Sequence, residues 1–210
     1  MSDYSIQSLS LTKSFGRRLI FKEINFVWEK NGIFGISGPY GSGKSTLVKI
    51  IAGLISPTKG KIIHKNSEKE IIPEKLHDHI GFVAPYLVLY EEFSAWENLE
   101  IFAKIRGIEL DEQRVKKLLE GFLIYNRRND LVKTYSSGMK QRLKFVFALM
   151  HLPEVLVLDE PTSNLDEEGK KVVYDIIQDE GKNRIVIIAS NEKSDLEFCD
   201  EILYLEKYKI

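Results

Sequence analysis

The chain has 210 residues, of which 43% are hydrophobic, and a formal net charge of -1. This length suits one domain with a complete core. The near-neutral charge argues against a basic nucleic-acid surface, so no nucleic-acid partner is expected. The single cysteine, Cys199, excludes an internal disulfide and fits a reducing cytoplasm. The N-terminus lacks a leader pattern and no apolar run reaches membrane-span length, so a soluble protein is expected.

The first eighty residues combine predicted strands with one strand–loop–helix unit. Ile24, Phe26 and Trp28 alternate with more polar neighbours, a pattern that predicts a half-buried strand. The apolar run 33–36 predicts a buried strand that leads into a glycine-rich segment. Turns are predicted at 13–17 and 56–60, and further strands at 61–64, 70–72 and 79–83. This part of the chain therefore favours an antiparallel sheet beside an α/β unit.

The glycine-rich segment satisfies G-x-x-x-x-G-K-[ST], the pattern of a phosphate-binding P-loop. Its glycines allow successive N–H groups to face phosphate oxygens, Lys44 would reach the β- and γ-phosphates, and Ser45 would hold Mg²⁺. A helical pattern follows, which places the phosphates at a helix N-terminus. The side chain of Tyr40 is expected to point away from them. The predicted phosphate-binding residues are Gly38, Pro39, Tyr40, Gly41, Ser42, Gly43, Lys44, Ser45 and Thr46.

The middle of the chain, residues 88–150, has the periodicity of a helical lobe. Three helices are predicted. The first covers 94–106 and ends at Gly107, the second begins after a cap at Asp111, and the third covers 139–150. The stretch before the last of these, Ser136, Ser137 and Gly138, supplies hydroxyl and N–H donors at a helix start. That stretch is either a second anion site or an ordinary helix cap.

The last third returns to apolar strands that alternate with a helix, at 155–158, 185–188 and 202–205. Fully apolar strands in this arrangement predict a parallel sheet covered on both faces. Ligands bind at the carboxyl ends of such strands, which is where Asp159 and Glu160 fall. Asp159 is placed to bind Mg²⁺, and Glu160 to polarise an attacking water.

Taken in order, these motifs resemble the ATP-binding cassette (ABC) ATPase family over essentially the whole chain. Residues 38–45 match the Walker A motif, and 155–160 match Walker B with its catalytic glutamate. Residues 163–166 match the D-loop, which contains Asp166, and Phe15 stands where the family stacks an aromatic ring on adenine. The signature motif is matched by Ser136, Ser137, Gly138, Met139 and Lys140.

The resemblance implies an α/β fold with a P-loop (RecA-like) core, an N-terminal antiparallel β subdomain and a helical subdomain. It divides the single ABC domain into a core, 1–87 and 151–210, and a helical part, 88–150. It implies ATP and Mg²⁺ as cofactors, and two cassettes that sandwich ATP between the P-loop of one and Ser136 to Met139 of the other. It further implies a membrane permease that holds the chain at the cytoplasmic face of the cell membrane.

Two residues depart from the family pattern near the γ-phosphate. Pro85 stands where a glutamine is usual, and Tyr86 is expected not to replace it. Asn191 stands where a switch histidine is usual, and asparagine cannot carry a positive charge. We hypothesise that Glu160 keeps the site competent but slow, and that Asn191 positions the γ-phosphate. The four histidines, His64, His77, His79 and His151, are expected to face solvent or cap elements.

The segment 90–99 and the stretch 134–142 resemble cassettes that serve ABC-2-type exporters. Tyr86, Leu87, Tyr90 and Phe93 either form a surface for a permease segment or pack internally. Two other classes stay open, namely a soluble ABC ATPase without a permease, of the iron–sulfur-assembly type, and a slow ATP-gated module. A regulatory domain after Ile210 is not expected.

Overall fold

The computed structural model describes residues 4–209, which form nine strands, seven α-helices and four 3₁₀ segments. The strands are β1 (Tyr4–Phe15), β2 (Arg18–Trp28), β3 (Gly32–Ser37), β4 (Lys59–Asn66), β5 (Lys69–Glu70), β6 (Ile80–Val83), β7 (Val155–Asp159), β8 (Ile185–Ser190) and β9 (Glu201–Tyr204). The helices are α1 (Lys44–Ile51), α2 (Leu76–His79), α3 (Ala95–Arg106), α4 (Glu112–Gly121), α5 (Ser137–Leu149), α6 (Glu167–Gly181) and α7 (Lys193–Leu196).

The parallel sheet that the apolar runs predicted is present, with the strand order β6-β7-β8-β3-β9. Every residue of β7 and β8 is buried, because helices or the second sheet cover both faces. The register pairs Asp159 with Ala189, and Ser37 with Ser190. The carboxyl ends of β3, β7 and β8 therefore lie side by side at one edge, where a ligand site of this architecture forms.

The antiparallel sheet has the order β2-β1-β4-β5, which confirms the predicted antiparallel part. The alternation on β2 is as expected, with Ile24, Phe26 and Trp28 buried and Val27 exposed. Strand β1 runs to Phe15, so the first turn is shorter than predicted and contains only Gly16 and Arg17. The ladder with β1 also lengthens β4 beyond the predicted four residues, while β5 ends before Ile71.

The parallel sheet separates two hydrophobic cores. Leu156 and Leu158 of β7 join the core shared with α3, α4, α5 and α6. Val155 and Val157 join the core shared with α1 and the antiparallel sheet. Successive side chains of a strand point to opposite faces, so one apolar strand serves both cores.

The predicted helices of the middle segment are present, and their ends follow local chemistry. Ser94 caps α3 in a capping box with Glu97, and Gly107 ends it in the left-handed conformation at φ 67°. Asp111 caps α4 by accepting a hydrogen bond from the Arg114 N–H. The next helix, α5, begins at Ser137, two residues before the prediction, because the Ser136 side chain accepts from the Met139 N–H at 3.2 Å.

The prediction for the histidines is wrong for His64, which is 2% exposed. The Tyr4 hydroxyl donates to its Nδ1 at 3.0 Å, and its Nε2 donates to the Ile51 carbonyl at 2.9 Å. Two smaller differences concern His79, which ends α2 instead of starting β6, and Leu205, which begins a 3₁₀ segment instead of ending β9. Within residues 4–209, no helix combines the length and the apolar character needed to cross a membrane.

Candidate nucleotide site

The P-loop lies between the end of β3 and the start of α1. Gly43 adopts φ 107°, and a Cβ there would lie 2.5 Å from Cγ2 of Ile20. A Cβ on Gly38 would lie 2.7 Å from Oγ of Ser42. Both positions therefore require glycine for a tight loop at the N-terminus of α1, a helix end that favours anions.

Lys44, the first residue of α1, has its ammonium enclosed by the loop. Its Nζ donates to the Gly38 carbonyl at 2.8 Å and lies 3.4 Å from Oε1 of Glu160. The ring centroid of Tyr40 lies 5.6 Å from the same Nζ, whereas an orientation away from the phosphate site was expected. The lysine is thus held under the loop by a carbonyl and a carboxylate.

Asp159 ends β7 with a carboxyl group that is buried and unsatisfied. The residue is 1% exposed, and neither oxygen has a hydrogen-bond partner of ordinary geometry among the described residues. Burial raises the pKa of the Asp159 carboxyl, and the adjacent hydroxyls of Ser45 and Tyr86 counteract part of the rise. A buried carboxylate without a partner is costly, and oxygen ligands of this kind suit a hard divalent cation.

Glu160 follows directly after β7, and its backbone lies in the left-handed region, at φ 47°. Its N–H donates to the Ala189 carbonyl at 2.8 Å, which holds the strained backbone in place. Burial raises the pKa of the Glu160 carboxyl, and the Lys44 ammonium counteracts the rise. The side chain therefore points into the same space as Lys44 and Asp159, as its predicted role requires.

Asn191 follows β8 and contacts Glu160. With the amide nitrogen turned toward the carboxylate, Asn191 donates to both Oε1 and Oε2 at 3.0 Å. The Ser190 hydroxyl lies 3.2 Å from Oε2 of the same carboxylate. Asn191 is thus placed to hold the glutamate, a contact that the sequence did not indicate.

Pro85 follows β6 and presents only its carbonyl to a neighbour. The buried Lys144 ammonium of α5 donates to the Pro85 carbonyl at 2.7 Å and to the Ala84 carbonyl at 3.2 Å. Tyr86, the next residue, was not expected to contribute to the site in place of the usual glutamine. Its hydroxyl nevertheless lies beside the Asp159 carboxyl. The segment after β6 therefore does bring a polar side chain to the site.

The signature residues and the D-loop lie against each other in this chain. A Cβ on Gly138 would lie 3.3 Å from the Asn164 carbonyl. Asp166 caps α6 by accepting from the Gly169 N–H at 2.9 Å, and it lies 3.4 Å from Arg142 of α5. Ser137 is exposed at the start of α5. The exposed start of α5 is therefore braced by the D-loop.

Phe15 lies at the tip of the β1–β2 hairpin and is 53% exposed. The Lys13 Nζ lies 4.8 Å from its ring centroid. Ile20 of the same hairpin touches the P-loop at Gly43. The hairpin thus presents an open aromatic face beside the phosphate-binding loop.

A buried polar cluster behind Glu160 was not predicted. The Asp195 carboxylate accepts from Thr162 and Tyr174 at 2.7 Å each, and from Ser190 at 2.6 Å. Asp195 is fully enclosed, yet in sequence it resembles any acidic residue of a short exposed turn. Only the convergence of three hydroxyls, two of them more than twenty residues away in sequence, identifies it.

An apolar groove of about 620 Å³ lies between the end of α1, β6, α3 and α5. Its charged side chains are Arg106 and Lys144, and no carboxylate lines it within the described part of the chain. Leu87 and Tyr90 line this groove, and Tyr86 and Phe93 are also well exposed. The apolar wall includes Leu54, Phe82, Leu87, Val88, Ile105 and Phe147. We call this feature the docking groove.

A glycine-rich loop that ends a parallel strand, with a lysine and serine at the following helix and an acidic pair on a neighbouring strand, defines a P-loop nucleoside triphosphatase. The signature residues at the start of α5 and the D-loop at 163–166 distinguish ATP-binding cassettes from other P-loop proteins. Residues 21–163 match the ABC transporter family, and the chain belongs to this family as an ATP-binding cassette.

The chain is similar to proteins of this family over nearly all of its length. It is 33% identical over 203 residues to the uncharacterised ABC transporter ATP-binding protein YdbJ of Bacillus subtilis, covering 95% of this chain and 66% of that protein. It is 32% identical over 201 residues to the linearmycin resistance ATP-binding protein LnrL of the same organism, covering 94% and 65%. The chain thus spans about two thirds of these relatives.

A solved structure is also similar. It is described as a putative ABC transporter ATP-binding protein from Pyrococcus furiosus, with a TM-score of 0.84 and 26% identity, covering 98% of this chain and all of that one. This likeness confirms the predicted fold class.

Proposed function

We propose that the chain is the ATP-hydrolysing subunit of an exporter. The observation that carries the proposal is the convergence of Lys44, Asp159 and Glu160 at the P-loop. The loop N–H groups and Lys44 bind the phosphates, and Glu160 accepts a proton from the attacking water as ATP becomes ADP and phosphate. Ser45 and Asp159 hold Mg²⁺, which supplies charge neutralisation at the phosphates when bound.

ATP binding replaces one ionic contact by another. In the described structure Lys44 is paired with Glu160. An arriving γ-phosphate competes for the ammonium, since it carries more negative charge than one carboxylate. The exchange leaves the Glu160 carboxylate free to face water, with the Asn191 amide keeping its orientation.

The adenine stacks on Phe15, whose exposed ring stands on the hairpin that touches the P-loop. The phosphates occupy the loop from Gly38 to Thr46. Residues 1–87 and 151–210 act as the nucleotide-binding core, and 88–150 act as the helical part that carries the signature.

A second cassette, identical or different, completes the site with its own residues 136–139. The exposed helix start there offers N–H donors to a γ-phosphate. ATP thus favours the closed pair, because it contacts both partners only in that state. Asp166 caps α6 and pairs with Arg142 of α5, and so holds the exposed start of α5 in position for the second cassette.

The docking groove receives a segment of a membrane permease, which keeps the chain at the cytoplasmic face of the membrane. Apolar walls and two cationic side chains suit an amphipathic helix with a carboxylate. The resistance role in the name of LnrL supports export as the direction.

Hydrolysis is slow in this proposal, because Pro85 offers no side-chain amide and Asn191 cannot supply a positive charge. A slow site also suits an ATP-gated module. Steady-state turnover of the purified chain, alone and with its permease, separates a transport ATPase from a module that barely hydrolyses.

Two experiments test the rest. Light scattering of the Glu160→Gln variant should show a doubled mass with Mg-ATP but not with Mg-ADP; a single mass throughout contradicts the paired site. Affinity purification from detergent-solubilised membranes should retain a multi-span protein. Val88→Glu, in the groove, should release it, and the exposed control Ile72→Glu should not. Retention of the membrane protein by Val88→Glu would show that it docks outside the groove, whereas the absence of any membrane protein would favour the iron–sulfur-assembly type.

A further inference from the structure

Tyr86 lies where the chain leaves the parallel sheet beside Asp159. Strand β6 pairs with β7 so that Val83 lies opposite Leu158, one residue before Asp159. Two residues separate Val83 from Tyr86, and the chain turns there, with the Leu87 N–H donating to the Ala84 carbonyl at 3.2 Å. The turn brings the Tyr86 hydroxyl beside the Asp159 carboxyl.

The tyrosine ring is held from two sides. The Nζ of Lys49, on α1, lies 4.1 Å from the ring centroid, a favourable cation–π distance. The ring of Phe82 lies 6.5 Å away, centroid to centroid. Lys49 is also close enough to stabilise the negative charge of Asp159. The hydroxyl is therefore aimed by contacts with β6 and α1.

The surroundings of Asp159 contain few groups that can complete its hydrogen bonds. Facing it are the hydroxyls of Ser45 and Tyr86 and the ammonium groups of Lys44 and Lys49. Lys44 is committed to the Gly38 carbonyl and to the phosphates, and Ser45 to the cation. The Lys49 ammonium is engaged by the tyrosine ring, 4.1 Å from its centroid. Of these four groups, the Tyr86 hydroxyl is therefore the donor with no other assigned partner.

We propose that Tyr86 positions the magnesium-binding carboxylate, a role that the proline before it cannot fill. Its hydroxyl donates to the Asp159 oxygen, or to a water on the cation, and so keeps the other oxygen directed at the metal. A phenol serves as a neutral donor across the neutral pH range. The inference rests on the proposed function, since it concerns the same Mg²⁺–ATP site.

The test is the Tyr86→Phe variant, which removes one oxygen and keeps the ring on Lys49. Mn²⁺ binding to the ATP-loaded protein, followed by electron paramagnetic resonance, should weaken by about tenfold or more, as loss of a hydrogen bond to a charged group implies. ATP affinity in EDTA and the melting temperature should be unchanged. Tyr125→Phe is the matched control, because its ring also lies against a cation, with the Arg128 guanidinium carbon 4.1 Å from the centroid, and it belongs to the helical part of the chain.

Equal Mn²⁺ affinities in wild type and Tyr86→Phe, within twofold, would overturn this inference alone. A change of the same size in ATP affinity in EDTA would also overturn it, since the effect would then lie in the nucleotide pocket and not at the cation. A wild-type chain that binds no Mn²⁺–ATP would overturn the inference and the proposed function together.

Discussion

The Lys44 ammonium and the Glu160 carboxylate form an ion pair at 3.4 Å beneath the P-loop, with both side chains largely shielded from water. Each side chain therefore neutralises the charge of the other, and in the proposed function this ion pair is broken when the γ-phosphate of ATP binds Lys44. The pair gives each side chain a partner of opposite charge in a site shielded from water, which offsets part of the cost of enclosing the two groups.

Replacing Glu160 with glutamine should lower turnover by about 100-fold or more, because the base that accepts the proton of water is lost. ATP affinity should stay the same or increase, since Lys44 no longer has a competing carboxylate. Single-turnover kinetics and equilibrium binding measure the two effects. Glu168→Gln, an exposed change on α6, is the control. Unchanged turnover in Glu160→Gln would remove Glu160 from the mechanism.

Asn191→Ala should reduce kcat by about tenfold, because two hydrogen bonds to the Glu160 carboxylate are lost. Asn191→His should add an imidazole that titrates at about pH 6.5. Its turnover relative to wild type should therefore rise as the pH falls through that value, since the imidazolium adds positive charge beside the phosphates. The ratio of the two kcat profiles is the measurement, and a ratio that is flat from pH 5.5 to 8 contradicts the placement.

Phe15→Ala should weaken ATP binding by about three- to tenfold, the size of one lost aromatic stacking contact. Phe15→Trp should retain binding and should also report it through quenching of the new indole. Leu19→Ala, on the other strand of the hairpin, controls for damage to the turn. If the alanine variant binds ATP as wild type does, adenine does not stack there.

The fold should lose stability in acid partly through His64. Burial lowers the pKa of His64 to about 4, below its unfolded value of about 6.5. The unfolded state therefore binds more protons between these values, and His64 reduces the free energy of unfolding by up to about 1.4 kcal/mol per pH unit as the pH falls.

Urea titrations at several pH values test this contribution. His64→Gln keeps a donor and an acceptor but cannot titrate, so its stability should fall less steeply below pH 6.5. His77→Gln, at an exposed site, should keep the wild-type slope. Identical slopes in all three proteins would show that His64 does not stay neutral in the fold.

Lys144→Met should destabilise the chain by about 1–3 kcal/mol, because the Ala84 and Pro85 carbonyls lose their donor. Burial also lowers the pKa of the Lys144 ammonium. Lys116→Met, at an exposed position, should change the free energy of unfolding by less than about 0.5 kcal/mol. A Lys144→Met variant as stable as wild type would show that these carbonyls find other donors.

Much of the architecture was predictable, because the decisive patterns are local. Runs of four apolar residues predicted β7 and β8, and the cap at Asp111 predicted where α4 begins. The P-loop and the position of Asp159 at a strand end follow from short motifs. Such features depend on neighbours in sequence.

The features that escaped prediction depend on distant partners. His64 is buried because Tyr4 and the Ile51 carbonyl satisfy both of its nitrogens. Asp195 is buried because three hydroxyls reach it, one of them from α6. The Tyr86 hydroxyl reaches the Asp159 carboxyl only because β6 lies beside β7. A single sequence gives no measure of these tertiary contacts.

The register of β7 against β8 determines which side chains stand at the edge of the sheet beside the P-loop. A slip by one residue would put Leu158 in the place of Asp159 or, in the other direction, draw Asp159 into the place of Leu158 among aliphatic side chains. The apolar residues that fill the two cores thus also fix the register that positions the carboxyl groups at the strand end. A chain that packs its interior correctly has thereby also placed the carboxyl groups of Asp159 and Glu160 beside the P-loop.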